Sequence, residues 1–445
     1  MDHGRTEARA TSNTMPAEPE FPDTVAGEAT GLAIPTHPDA LVGAGAEWLT
    51  RAFRRYGSIA PDNAVARIVR CEPCLAGNSG EKLLLSVAYA RSEPGLDSDL
   101  FVKFSRHRSD AFRDRRRHEL HGEVRLAALS RSPAFPVHVA KPYFADFDPA
   151  TGSGLLITRQ IAFGESGIEP LRPKNLDHEL ADPLAYYQAT LTALARLAAA
   201  HLAGRLPQAD ELFPFDRAAA IGELAIPYDR EALQARVLAI GAFVERYPWV
   251  LLPRFDRRGF AARLQADVLA FLAREDAVKR FLYGDPRFVA LTHWNTHIDN
   301  AWFWRDDEGK LQCGLLDWGM VRPMNFAIGL WGGLSGATPE FLDRHLDELL
   351  ALFARELQAN GGPAIATAEL RLRFDLSVAM IGLALLMDAP ALIEARLPEI
   401  ADATGLTDPI LRRSQVGNGF LHTFSAFLNL WARDEFATAL ERIDR

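Results

Sequence analysis

Cysteine is scarce: Cys71, Cys74 and Cys313 are the only three in 445 residues. That excludes a disulfide framework and fits a reducing compartment. Cys71-Glu72-Pro73-Cys74 is a lone CxxC, without the second ligand pair that a structural zinc site uses. Long apolar runs are missing too. The N-terminal stretch has no apolar core of signal-peptide type, and Val378 to Met387 falls far short of the ~20 residues that span a bilayer. A cytoplasmic protein is expected. Positive charge is not in excess: 49 Lys and Arg face 58 Asp and Glu, a net charge of −9. This disfavours a nucleic-acid coat and binding to anionic membranes. No internal repeat stands out, and nothing addresses oligomeric state.

What is present is ordinary globular composition, with 48% hydrophobic and 24% charged residues. Residues 1–40 lack sustained periodicity and read as a disordered tail. A short helix follows over 41–57. Between 64 and 161, five β-prone runs alternate with turn residues: 64–73, 82–90, 99–105, 139–148 and 154–162. One polar-apolar segment, 108–130, reads as a helix inserted after the third strand. Its basic cluster, 106–117, holds six Arg and two Asp and reads as a solvated face.

From about 182 the pattern turns helical. Asp182-Pro183 is a helix start, with Asp as cap and Pro at the first position. Thr338-Pro339 opens a second helix that Gly361-Gly362 ends, and others fill 368–388 and 415–440. The class is α+β, with a small β-rich lobe over 41–161 and a large, mostly helical lobe over 162–445.

Several residues break these patterns in ways that suggest chemistry. Gly77-Asn78-Ser79-Gly80 lies between two strands, either as a plain hairpin turn or as a backbone loop open to phosphates. Lys103 stands inside the apolar strand Leu100-Phe101-Val102-Lys103-Phe104, either reaching solvent or holding a buried anion. Glu123, on the following helix, is spaced to pair with it. Residues 291–304 read LTHWNTHIDNAWFW and lead to GLLDWG at 314–319. Asn300 and Asp317 offer the oxygen ligands that magnesium prefers. His293 and His297 are spaced i, i+4, as helical zinc ligands would be, but Trp294 stands where a zinc protease needs its Glu.

The order of Gly-rich turn, strand Lys, helix Glu, His loop with Asn, and Asp-Trp-Gly resembles the aminoglycoside phosphotransferase and choline kinase branch of the protein-kinase-like superfamily. That branch's loop, His-Gly-Asp-x-His-x-x-Asn, aligns with His293, Trp294, Asn295, Thr296, His297, Ile298, Asp299 and Asn300, and the likeness spans about 65–335. It implies a two-lobed protein-kinase-like fold that binds ATP or GTP and Mg²⁺ and transfers a phosphoryl group to a hydroxyl of a small-molecule acceptor. In that frame Gly77, Asn78, Ser79, Gly80 and Lys103 meet the phosphates and Glu123 orients Lys103. Backbone from Arg159 through Ile161 to Ala162 meets the base, and Asn300 and Asp317 hold the metal. Neither nucleic acid nor membrane is an expected partner.

Two departures matter. Asn295 replaces the Asp that accepts the acceptor's proton, and an amide cannot serve as that base near neutrality. Phe326 stands where a later Asp is usual. Candidate participants around the altered position are His293, which orders the loop, His297, which faces the cleft, and Asp299 as a substitute base. A nucleotide-binding pseudokinase is the alternative, and a zinc-dependent hydrolase a third reading.

Overall fold

The computed structural model describes residues 22–74, 80–107, 109–110, 113–433 and 435–444. The smaller lobe is a five-stranded antiparallel sheet of β3 (Val65–Pro73), β4 (Lys82–Tyr89), β5 (Asp99–Phe104), β6 (Pro142–Asp148) and β7 (Ser153–Arg159), in the order β3-β4-β5-β7-β6. Alternation fixes its faces: Leu83, Leu85 and Val87 are buried along β4. The segment between β5 and β6 carries helix α2 (Glu119–Leu129), which packs on β6 and β7.

The stretch expected to be a disordered tail over 1–40 is ordered from Thr24 onward. Strands β1 (Thr24–Ala26) and β2 (Ala33–Pro35) form a hairpin that leads into helix α1 (Pro38–Tyr56). Low apolar content hid this, because polar bonds hold the hairpin. The fully buried Asp146 accepts from the Ala29 and Thr30 backbone N–H groups at 3.0 Å each, and from the Thr30 hydroxyl. Gly27 makes the approach feasible, since a Cβ there would collide with the Asp146 carboxylate.

Helix α2 is also shorter than the expected 108–130. It begins at Glu119, after a 3₁₀ turn at Asp114–Arg116. Arg113 would face the like-charged Arg116 and Arg117, at i+3 and i+4, which disfavours helix, and the basic cluster is not simply a solvated face. Arg106 pairs with Glu119 and Asp110, both at 2.9 Å, and Arg113 donates to Ser153 Oγ at 3.0 Å.

The larger lobe has its own hydrophobic core. Helix α3 (Pro183–Leu202) starts where Asp182 accepts from Ala185 N–H, as the sequence signals. Two antiparallel ribbons lie against it: β8 (Val289–His293) with β11 (Val321–Asn325), and β9 (Ala301–Arg305) with β10 (Leu311–Leu315). Further helices, among them Arg230–Arg246, Arg257–Leu282, Phe326–Leu334, Pro339–Ala359, Thr367–Leu385 and Gln415–Ala432, build the rest of the lobe. Among the described residues, no single helix is long and apolar enough to cross a membrane. Thr367–Leu385 and Ala389–Arg396 pass that test only jointly, across a 63° bend, and Val378 to Leu383 lie in the core.

Replacing the buried Asp146 with Ala removes the acceptor shared by the Ala29, Thr30 and Phe147 backbone N–H groups. Denaturant unfolding should register a loss of about 2–4 kcal/mol, with early proteolysis near residues 24–36. Unchanged stability would show that the hairpin is not held by this carboxylate.

Candidate functional site between the lobes

Lys103 lies on β5, opposite Lys82 on β4 and Leu156 on β7. Its ammonium is buried, with only 6% of the residue exposed. Such a charge persists in the interior only with partners. It has two: Glu123 Oε1 at 2.5 Å and Asp317 Oδ1 at 2.8 Å. One ammonium thus ties strand β5, helix α2 and the turn after β10 across the two lobes. Burial acts against its charge, but the two carboxylates win and raise its pKa. Burial, opposed by Lys103 and reinforced by Asp317, lifts Glu123 to about 6. Burial also pushes Asp317 upward, yet Lys103 with help from His293 and Lys82 holds it below its ordinary value.

The backbone is shaped for this approach. Helix α2 lies so close to the turn that a Cβ at Gly122 would stand 3.1 Å from the Gly319 carbonyl oxygen. Asp317 has φ 56° and ψ 57°, a left-handed conformation that non-glycine residues rarely adopt. It precedes the 3₁₀ turn Trp318–Met320 but makes no side-chain cap bond to it. Its side chain is turned to Lys103 instead.

The loop after β8 is fastened by its first histidine. Buried His293 donates from Nε2 to the Leu316 carbonyl at 2.9 Å and accepts at Nδ1 from Asn295 N–H at 3.2 Å, a tautomer assigned from these partners. Its ring stacks on Trp318, with centroids 4.5 Å apart. Burial lowers its pKa to about 4, so it stays neutral. Asn300 donates from Nδ2 to the Asn295 carbonyl at 2.9 Å, and its own carbonyl accepts from Leu316 N–H at 2.8 Å. These bonds place Asn300 beside the strand end that carries Asp317.

These contacts also overturn the zinc reading. His293 and His297 sit at a strand end and in a loop, not on a helix, and both ring nitrogens of His293 are engaged. Among the described residues, no group of three or more His, Cys, Asp and Glu could hold a metal. Asn300 and Asp317 carry one amide oxygen and one carboxylate, both hard oxygen donors.

Sequence reading missed what lies beneath the loop. A Cβ at Gly332 would overlap the Trp294 carbonyl, and one at Gly333 or Gly329 would stand 2.7 Å or 2.8 Å from the hydroxyl of Thr296 or Thr292. One glycine face of helix Phe326–Leu334 therefore lets the loop backbone lie directly on it. The signal was GLWGGLSG at 329–336, glycines at helical spacing. Phe326 is buried in the core, and the neighbouring Asn325 caps the helix through Ala327 N–H at 3.0 Å.

A second missed feature flanks the loop. Asp177, on the segment joining the lobes, is buried and accepts from Tyr187 Oη at 2.7 Å. Burial, opposed by that bond and aided by Asp299, raises it to about 7. Its Oδ2 and His297 Nδ1 lie 3.8 Å and 3.2 Å from the point where a Gly336 Cβ would be. Asp299 faces Lys174 at 3.9 Å. Lys82, cross-strand from Lys103, was missed as well; a hairpin register would have revealed it.

Gly77, Asn78 and Ser79 lie outside the described residues. Gly80 has φ 68° and no room for a Cβ, which would overlap the Phe104 carbonyl. Arg159 N–H is spent on the Lys141 carbonyl at 2.8 Å and Gln160 N–H on Asp99 at 3.0 Å. Ile161 N–H makes no backbone bond among the described residues.

No family model matches the chain, and no curated protein does. Solved structures similar to it include a choline/ethanolamine kinase family protein from Mesorhizobium loti, at 18% identity over 84% of this chain and 92% of that one, TM-score 0.38. A microcompartment-associated aminopropanol kinase matches at 12% identity over 89% and 99%, TM-score 0.44. An aminoglycoside-3'-phosphotransferase of type VIII matches at 19% over 75% and 98%, TM-score 0.35.

The raised Asp177 carboxyl has a signed consequence. Its folded value of about 7 lies above its ordinary 3.8, so the native state binds the proton more tightly. Asp177 therefore lowers stability as pH rises from about 4 to 7. Asp177→Asn should gain on the wild type across that window, by ~2–4 kcal/mol. Urea unfolding of both proteins at pH 4.5 and 7.5 measures this; a constant difference would refute it.

Proposed function

We propose that this protein is a nucleotide-dependent phosphotransferase acting on a hydroxyl of a small molecule, with proton removal weakened at Asn295. The observation that supports it most is the buried Lys103 ammonium between Glu123 and Asp317. A buried ion pair adds little net stability over an apolar replacement, so its presence fits a functional demand. In this reading Lys103, pre-positioned by Glu123, binds nucleotide phosphates, and Lys82 adds positive charge beside it. The Ile161 N–H, which makes no backbone bond among the described residues, meets the base.

Asn300 and Asp317 would hold magnesium, which when bound offsets phosphate charge. Phosphoryl transfer depends mainly on such positioning and charge stabilisation, so loss of one base slows the reaction without forbidding it. Asn295 orients the acceptor hydroxyl through its amide. Asp177, His297 and Asp299 flank the loop and form the polar wall of the acceptor side. A proton-binding carboxyl there, held near neutral by burial, suits a site whose own loop lacks one.

A nucleotide-binding pseudokinase is the second reading, favoured by Asn295 alone. Two measurements separate them. Calorimetric titration with ATP should detect magnesium-dependent binding that falls at least about tenfold in Asp317→Ala; absence of such binding in the wild type would sink the nucleotide site. Asn295→Asp should then raise turnover on a hydroxyl acceptor by ~10²–10⁴. If that variant binds ATP normally yet transfers to none of a panel of small alcohols and amino alcohols, the pseudokinase reading wins.

A further inference from the structure

A cavity lies beside the segment that joins the lobes. Its volume is about 320 Å³, and it is lined by His138, Arg159, Ile168, Trp302, Trp304 and Arg305, among others. It is distinct from the Lys103 site. Lys103 faces Leu156 across the β5–β7 pair, and side chains on a strand alternate faces. Thr158 therefore shares the face of Lys103, and Arg159 points to the opposite one.

Its chemistry is one-sided. Trp302 and Trp304 stack along β9 with centroids 6.4 Å apart, and His138 meets Trp304 edge-on at 4.9 Å. Two guanidinium groups and no carboxylate line it. The adjacent Glu169 accepts from Tyr186 Oη at 2.5 Å and pairs with Arg172, and it interacts only at longer range with Arg305. Arg305 spends one donor on the Gly309 carbonyl at 3.0 Å. Arg159, half-buried among the lining residues, has no side-chain hydrogen bond or ion pair with any described residue. Ile168 bridges to Trp304 and keeps the wall closed against β9.

We infer that this cavity is a second ligand site, which takes a planar aromatic anion. The half-buried Trp304 indole, backed by the buried Trp302, offers stacking surface, and the guanidinium groups of Arg159 and Arg305 offer the fork that matches a carboxylate or phosphate. At this volume, near the lower end of ligand pockets, the fit is to one or two fused rings. The ligand would touch β7 of one lobe and β9 of the other. The site does not rest on the phosphotransferase reading.

The test uses three isosteric probes in calorimetry with the full chain: 2-naphthoate, 2-naphthamide and 2-naphthylmethylammonium. The naphthoate should bind at least ~10-fold more tightly than the amide, and the ammonium weakest of all. Arg159→Gln and Arg305→Gln should each bring naphthoate down toward the amide and leave the amide unchanged. Arg305 is exposed, so its replacement carries little folding risk. Binding should persist in Asp317→Ala and in the presence of ATP. Equal affinity for the three probes, insensitivity to both arginine variants, displacement by ATP, or no naphthoate binding at millimolar concentration would each overturn the assignment.

Discussion

A single buried ammonium is the constraint around which this molecule is arranged. Lys103 stands between Glu123 and Asp317, which arrive from a helix of one lobe and a turn of the other. The Glu123 carboxylate alone would be costly at that depth, while Asp317 reaches Lys103 from a partly exposed position. The lobes must therefore close to one spacing and α2 to one rotation. The backbone accommodates this by close approach at Gly122 and Gly319 and by left-handed strain at Asp317. Strain held by surrounding structure is typical of functional positions.

The same logic of close approach builds the loop. His293 fixes it from one side through two hydrogen bonds and a ring stack, and a glycine face supports it from the other. In the proposed reading this fastened loop presents the Asn295 amide at the position of the base. Asp177 brings a proton-binding carboxyl to the flank of that loop from the segment between the lobes.

Much of this was legible in the sequence, because periodicity and punctuation are local. The alternating strands, the Asp182-Pro183 and Thr338-Pro339 helix starts and the α+β class follow from residues within a few positions of each other. The Lys103–Glu123 pair was legible from spacing along one strand and the next helix. The features that were missed depend on distant partners. The hairpin at 24–35 is held by Asp146, more than a hundred residues away. Lys82 gains meaning only through its register with Lys103, and Asp177 only through burial beside Tyr187 and Asp299. The late start of helix α2 is hidden in the apolar spacing, since it reflects like charges three and four residues apart at Arg113, Arg116 and Arg117.

The charge framework and the altered base make separate demands, and the first is the foundation. If Lys103 is poised for phosphates, its carboxylate partners hold it in place for a ligand rather than simply filling the interior. The most direct measurement is the dissociation constant of ATP with magnesium for the wild type and for Lys103→Met, an apolar replacement of similar length, with native folding of both checked by circular dichroism. The account predicts that the folded variant loses most of the affinity. Equal affinity in the two proteins would contradict it.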